Sequence, residues 1–540
     1  MKPRNTQETD IERGPLNLRV SHPQRIGTSK HGMVSTAHVE ATRAGVQMLE
    51  QGGNAIDAAV ASAFALGVCE PAASGLGGQT AVLVNHVLKK KRVALDGSSR
   101  APNRLEPGIF GKRDLLRGYK ASTVPSTPAT LAYLLREYGT LPLAETLKPA
   151  ITLAERGFRV TPLLHSLMKK GQKKLKSRSA GLHFLKKGRS IYQIGDILRQ
   201  PALARTLKGI AQAGVNDFYE GEIAKSIAED MEKGEGLIRL DDLAQIPWPV
   251  ERKPVMAKHG TVRYYTFPPP GAGRNLVQML NVFDSLPERL KNMDTPKGAL
   301  ALAEIVRKAH LDRLSNPADP RLYHQQSKKP MIRSERAEKL AKRVLGKVEN
   351  RGDTTHLSVM DSQGNAVALT QSIERVFGSF EASPELGFLY NNYMSAFEYE
   401  DMSHPYYLRP NAVPWASVAP TIAFRSGLKP SLVIGSPGSE RIVSAVAQVI
   451  LRLGQKTPLE AVSAPRLHCS SKGHISIEAT RMRSDIVDAL QAEGYEVDVL
   501  EPFSFYLGCV QLVMRERSGN LIGVADPRRD GSAAGPVMQP

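Results

Sequence analysis

At Asp353-Thr354 the chain changes texture, and this boundary limits the possible folds more than any other feature. Ahead of it, a strand-like GMVST (residues 32–36) leads into an Ala-rich stretch with small residues at helical spacing, broken at Gly52-Gly53. Helical patterns return over residues 130–154 and 298–314, with the turn-forming PPPGAG (residues 268–273) between them. From Thr354 onward the pattern is of short alternating apolar segments (THLSVMD, NAVALTQSI, PTIAF, PSLVIGSP) punctuated by Gly, Pro and Asn, the signature of strands. The expected organisation is a polar leader (1–31), a helix-rich part (32–353) and a strand-rich part (354–540). A basic stretch at 333–351 is expected to be an exposed helix or linker leading to the boundary.

Length alone, at 540 residues, suggests two to four domains or one large core. With 41% hydrophobic and 23% charged residues the chain has an ordinary globular composition. No apolar run approaches the ~18 residues of a membrane span, and no apolar stretch follows the first positive charges, so neither membrane insertion nor secretion is expected and the cytoplasm is favoured. The three cysteines, Cys69, Cys469 and Cys509, lack metal-ligand spacing and read as buried thiols. A net charge of +19 raises the question of nucleic acid, and residues 169–189 carry nine basic residues and no acidic one. No aromatic platform or nucleic-acid motif accompanies them, so a solvated helix face is expected and nucleic-acid binding is not.

The run DTTHLSV (residues 353–359) resembles the small-subunit start of gamma-glutamyltranspeptidases, in which the first Thr of a TTH run becomes a new N-terminus. Further segments are similar to that family and stand in its order: residues 52–78, residues 124–158, PPPGAG, APTIAF, GSPGSERI (435–442), APRLH (464–468) and ADPRRDG (525–531). The resemblance implies a four-layered αββα sandwich of α+β class, the N-terminal nucleophile hydrolase type. It implies cleavage between Asp353 and Thr354 by attack of the Thr354 hydroxyl on the Asp353 carbonyl, after which the two fragments stay associated. It also implies hydrolysis or acyl transfer on a small amide or gamma-glutamyl compound, with no cofactor or metal, and leaves a homodimer open. The chemistry fits the residue: a hydroxyl is a poor nucleophile without a base, and a free α-amine, with a reference pKa of about 7.7–8.0, is a base within reach of its own Oγ. While Asp353 remains joined, that nitrogen is an amide and cannot serve.

Residue by residue, the resemblance assigns Gly438 and Ser439 to an oxyanion turn, with Ser where the family has a second Gly. It assigns Ser372 to a hydroxyl that hydrogen-bonds the nucleophile, and Ser417 to one member of a family Ser-Ser pair whose other member is Ala416 here. His356 and His468 are expected to be structural. The substrate pocket departs from the family: Ala396 replaces an amine-binding Asp, Tyr393 a common Gln, Glu374 an Asn, and Ser98 an Arg. Glu374 is the expected replacement negative charge and Arg100 the replacement positive one. The GSSRAP and QSI segments resemble the branch that includes oxamate amidohydrolase, whose substrate has a carboxylate and no ammonium; such a substrate would need Arg100 and have no use for the absent Asp. An inactive member acting as a basic binding module is the reading outside enzymes.

Overall fold

The computed structural model describes residues 25–105, 110–111, 114–322 and 353–537. The basic stretch 333–351 lies outside them. Two seven-stranded sheets form the centre. The first runs Ser532–Ala534, Gly32–Thr36, Thr355–Asp361, Ala366–Ser372, Gln79–His86, Lys91–Gly97, Val250–Arg252. The second runs Ile26–Ser29, Leu521–Ala525, Gln511–Arg515, Leu432–Gly435, Thr421–Phe424, Val262–Thr266, Val255–His259. All the pairings within both sheets are antiparallel. Each sheet draws strands from both sides of the 353/354 boundary, so the halves that differ in texture are one globule. Residues 26–29, in the stretch read as a leader, pair with residues 521–524 at the edge of the second sheet.

Helices cover the two outer faces. Helices Val39–Glu50 and Ala55–Cys69 pack on the first sheet, Gly273–Asp284 and Arg441–Arg452 on the second, and the sheets pack on each other between them. This is an αββα order of layers. Like Arg441–Arg452, which is buried along its whole length, Ala55–Cys69 is deeply placed, with all but one of its residues buried. Its many alanines let neighbouring helices and strands approach closely. Its start is fixed by a capping box in which Asn54 accepts from the amides of Ile56 and Asp57 while Asp57 accepts from the Asn54 amide. Asp57 also accepts from Thr140 and Leu141, tying the next helical pair to this one.

The hairpin at the centre of the first sheet carries the boundary itself. Its turn is closed by Asp361, whose Oδ1 accepts from the amides of Gly364 and Asn365, both at 2.9 Å, with Gly364 at φ +101°. That turn sets a register in which Thr355 faces Gln371, so Thr354 and Ser372 meet at the open end of the ladder. On the other side of Ser372 the Gly77-Gly78 pair is packed against backbone, and a Cβ on Gly78 would lie 2.3 Å from the Ser372 carbonyl oxygen. Gly78→Ala is therefore expected to push Ser372 out of place and cost about 1–3 kcal/mol of stability. Urea unfolding of the variant measures this, and an unchanged midpoint would show that the contact can relax freely.

Candidate active site

Thr354 and Ser372 are both buried, and the Thr354 hydroxyl donates to the Ser372 Oγ at 3.2 Å. Ser372 in turn donates to the carbonyl oxygen of Asp353 at 2.7 Å and accepts from the Glu374 amide at 2.8 Å. One serine oxygen thus touches both the Thr354 hydroxyl and the carbonyl of the peptide bond in front of it. The chain ahead of the bond is pinned as well: the Asp353 amide donates to the Glu374 carbonyl at 2.6 Å, and the Thr354 amide donates to Asp353 Oδ1 at 2.7 Å.

Two buried charges that sequence reasoning passed over complete this cluster. Arg529 donates from Nη2 to Asp353 Oδ1 and from Nη1 to Glu70 Oε1, the latter at 2.6 Å. Burial pushes the Asp353 carboxyl up, with Arg529 opposing. Burial also lifts Glu70 to about 7, again against the pull of Arg529. Burial disfavours the Arg529 charge, yet Asp353 and Glu70 together hold the guanidinium above its ordinary value. Both residues sat in recognised segments, Glu70 within 52–78 and Arg529 within ADPRRDG. The signal was a buried Arg and Glu far apart in sequence, which no local pattern pairs.

The GSPGSE turn leads into the helix Arg441–Arg452, with Gly438 at φ +121° and Ser439 at φ +54°. Gly438 makes close backbone contact with Gly508, and Ser439 is 7% exposed. Arg441, at the start of that helix, acts electrostatically on the Asp353 carboxyl. Amides at the start of a helix, ahead of its aligned dipoles, suit an oxyanion.

A cavity of about 10 Å³, room for roughly one water, is lined by Ser372, Tyr393, Ser98, Gln79, Pro270 and Ala416 among others. Tyr393, Ser98 and Ala416 are thus brought to Ser372. Burial, with Glu374 next, raises the Tyr393 phenol. Glu374 is half-buried at φ +78°, and burial lifts its carboxyl to about 7 against Arg375. Ser417 is held by Arg313, which also donates to the carbonyls of Pro270 and Ala416 and lies 4.8 Å from the Trp415 ring centre. Arg100 is placed differently: it lines a separate cavity of about 220 Å³ with Asn103, Asp242, Trp248 and Asn411. Burial lowers its pKa, opposed by Asp96.

The two histidines are enclosed. His356 bonds Thr370 Oγ1 at 2.8 Å and Ser358 Oγ at 3.1 Å, and burial drives it down to about 3. His468 bonds Ser444 at 2.9 Å, and burial lowers it as well. A neutral ring fixed between two strand hydroxyls fits a structural role. In the basic stretch, Lys169, Lys170 and Lys173 are exposed on the helix Pro162–Lys176, while Arg178 is taken up by Glu381 at 2.9 Å. Cys69, Cys469 and Cys509 are buried free thiols. Among the described residues no helix is long and apolar enough to cross a membrane, and no cluster of metal-ligating side chains is present.

Comparison with known proteins places the chain in a family. The family model described as gamma-glutamyltranspeptidase matches residues 41–536. The glutathione hydrolase proenzyme of Escherichia coli (strain K12) is 32% identical over 545 residues, covering 94% of this chain and 92% of the relative. The acylase ACY 1 proenzyme of Pseudomonas sp. (strain V22) is 33% identical over 541 residues, covering 94% and 93%. In structure, the cephalosporin acylase from Bacillus halodurans superposes with a TM-score of 0.83 at 28% identity, over 96% of this chain and 98% of that one. The fold is the α+β sandwich of N-terminal nucleophile hydrolases, and its relatives are enzymes made as proenzymes, which does not favour an inactive binding module. This chain belongs to the gamma-glutamyltranspeptidase family.

Proposed function

We propose that the chain cuts itself between Asp353 and Thr354 and then uses Thr354 as the nucleophile of a small-amide hydrolase or acyltransferase acting on gamma-glutamyl compounds. The observation that carries this reading is the double contact of Ser372 Oγ, with the Thr354 hydroxyl on one side and the Asp353 carbonyl oxygen on the other. Donation from Ser372 polarises that carbonyl. Thr354 Oγ adds to its carbon and gives up its proton toward Ser372 Oγ, the C–N bond breaks, and the nitrogen takes up one proton to leave as the α-amine of Thr354. Water then hydrolyses the Asp353 ester. In the cut enzyme the amine accepts the Thr354 hydroxyl proton as Oγ attacks a substrate amide, the leaving amine takes that proton, and water or an acceptor amine then removes the acyl group and restores the hydroxyl. Gly438 and Ser439 are the proposed donors to the developing oxyanion. The fragments remain joined because strand Thr355–Asp361 pairs with Gly32–Thr36, and Ala366–Ser372 with Gln79–His86, across the cut.

The side chains around Ser372 support an ammonium-bearing substrate over one with a carboxylate alone. The Glu374 amide donates to Ser372 Oγ, and the carboxyl of this half-buried residue, lifted to about 7 by burial, can supply the negative charge lost where Ala396 replaces the family's Asp and would gain from a cationic ligand. Arg100, on which the carboxylate-only reading depends, belongs to the other cavity.

Purified wild-type protein is expected to run as two fragments, 1–353 and 354–540, and Thr354→Ala as the full-length chain; intact-mass analysis decides, and a wild type that stays whole would sink the proposal. In the mature enzyme Glu374→Gln is expected to reduce glutathione turnover by roughly two orders of magnitude, the effect of losing about 3 kcal/mol of a buried ion pair. Turnover of oxamate that exceeds glutathione and collapses in Arg100→Ala would instead return the substrate to the carboxylate-only class. Ser439 occupies a left-handed conformation that costs a side chain about 1 kcal/mol, so Ser439→Gly is expected to stabilise the Thr354→Ala chain by about that amount. Chemical denaturation measures it, and a destabilised variant would mean that the Ser439 side chain contributes more than its strain.

A further inference from the structure

The Thr354 amide and the Arg529 guanidinium donate to the same oxygen, Asp353 Oδ1. Two donors on one acceptor are no more than about 5 Å apart. Arg529 is braced on its other side by Glu70 at 2.6 Å, and both are held by their own segments: Glu70 directly follows the buried helix Ala55–Cys69, and Arg529 follows a strand of the second sheet. Neither contact depends on the peptide bond between Asp353 and Thr354 being intact. Glu70 Oε2 is buried without a hydrogen-bond partner among the described residues.

We propose that Arg529, braced by Glu70, is a positioning residue with two successive partners: the Asp353 carboxylate before cleavage, and the Thr354 α-amine after it. Before the cut, Arg529 fixes Asp353 so that its carbonyl faces Ser372. The cut adds an α-carboxylate to Asp353, so two negative charges on one residue then face Arg529 next to Glu70. Like-charge crowding in a buried site favours departure of the new C-terminus. What remains around the new amine is Arg529 and Glu70, with Arg441, Glu374 and the neutral Cys509 thiol further out. The cation lies within about 5 Å of that nitrogen, since it shared the oxygen that the nitrogen held. A fixed cation disfavours the ammonium and keeps the amine in the form that can take the Thr354 proton.

This inference rests on Thr354 being freed by cleavage, and the test separates the two. The pKa of the Thr354 α-amine is read from the pH dependence of its acetylation by trace acetic anhydride, followed by mass spectrometry of the 354–540 fragment. No substrate is needed. Removing the cation raises an amine pKa and removing the carboxylate lowers it, so Arg529→Gln should shift the value upward and Glu70→Gln downward from wild type, each by about one pH unit. Arg529→Lys, which keeps the charge, should stay near wild type. If Arg529→Gln is not cut, Glu70→Gln decides alone: a downward shift supports the assignment. Shifts of both variants in the same direction, or none in Glu70→Gln, would overturn it. A wild-type chain with no free amine at Thr354 would instead overturn the nucleophile reading beneath it.

Discussion

The pairing of Thr355–Asp361 with Ala366–Ser372 is the contact on which the rest of the site depends. Its register is fixed by the Asp361 turn at one end, and a slip of a single residue would turn every side chain of the hairpin to the opposite face. With the register set, Ser372 lies opposite Thr354 without any further interaction being needed to aim it. The hairpin is central in its sheet, flanked by strands from the first part of the chain on both sides, so it cannot shift without breaking two more ladders. Proximity of the Thr354 hydroxyl, the Ser372 hydroxyl and the Asp353 carbonyl is thereby built into backbone geometry, and in the proposed reaction this loses less entropy than flexible side chains would.

Much of this was legible in the sequence, because the deciding features are local. The DTTH junction, the strand texture after it and the Gly-rich turns are short patterns, and the family resemblance they carry is what pointed to Thr354, Ser372, Gly438 and Ser439. The division into a helix-rich and a strand-rich part was only half of the picture: seven strands of the two central sheets come from residues 26–266. Those strands sit among longer helical patterns, and several have buried residues on both faces, so they lack the clean alternation that marks a half-exposed strand. Arg100 illustrates a different limit. It lies two residues beyond Ser98, the position of the family's lost arginine, and closeness in sequence suggested closeness in space. Ser98 lines the cavity at Ser372, but Arg100 has moved on to another cavity, bridged to Val124. Glu70, Arg529 and Arg313 escaped notice for the complementary reason. Glu70 and Arg529 are 459 residues apart, and Arg313 reaches a serine and a carbonyl 104 and 103 residues away, so only the fold brings these groups together.

The C-terminal ADPRRDG segment shows how buried ionic groups hold this site in place. Residues 527–529 form a turn just beyond the strand Leu521–Ala525, and the turn sends the side chains of Arg528 and Arg529 to different partners. Arg528 turns into a cluster with Glu478 and Asp526, donating to Glu478 at 2.6 Å and 2.8 Å, while Arg529 turns toward Glu70 and Asp353. Asp526 also receives Arg466 and the Val510 amide. Buried ion pairs of this kind contribute little net stability over apolar packing, since desolvation offsets most of the attraction. Their effect is on position: breaking one strands a charge, so alternative placements of the segment are strongly disfavoured. Arg528 therefore serves as the anchor that keeps Arg529 aimed at the 353–354 bond. Because Glu70 and Arg529 belong to opposite sides of that bond, their pairing is also a link between the two halves that a cut at this point leaves intact.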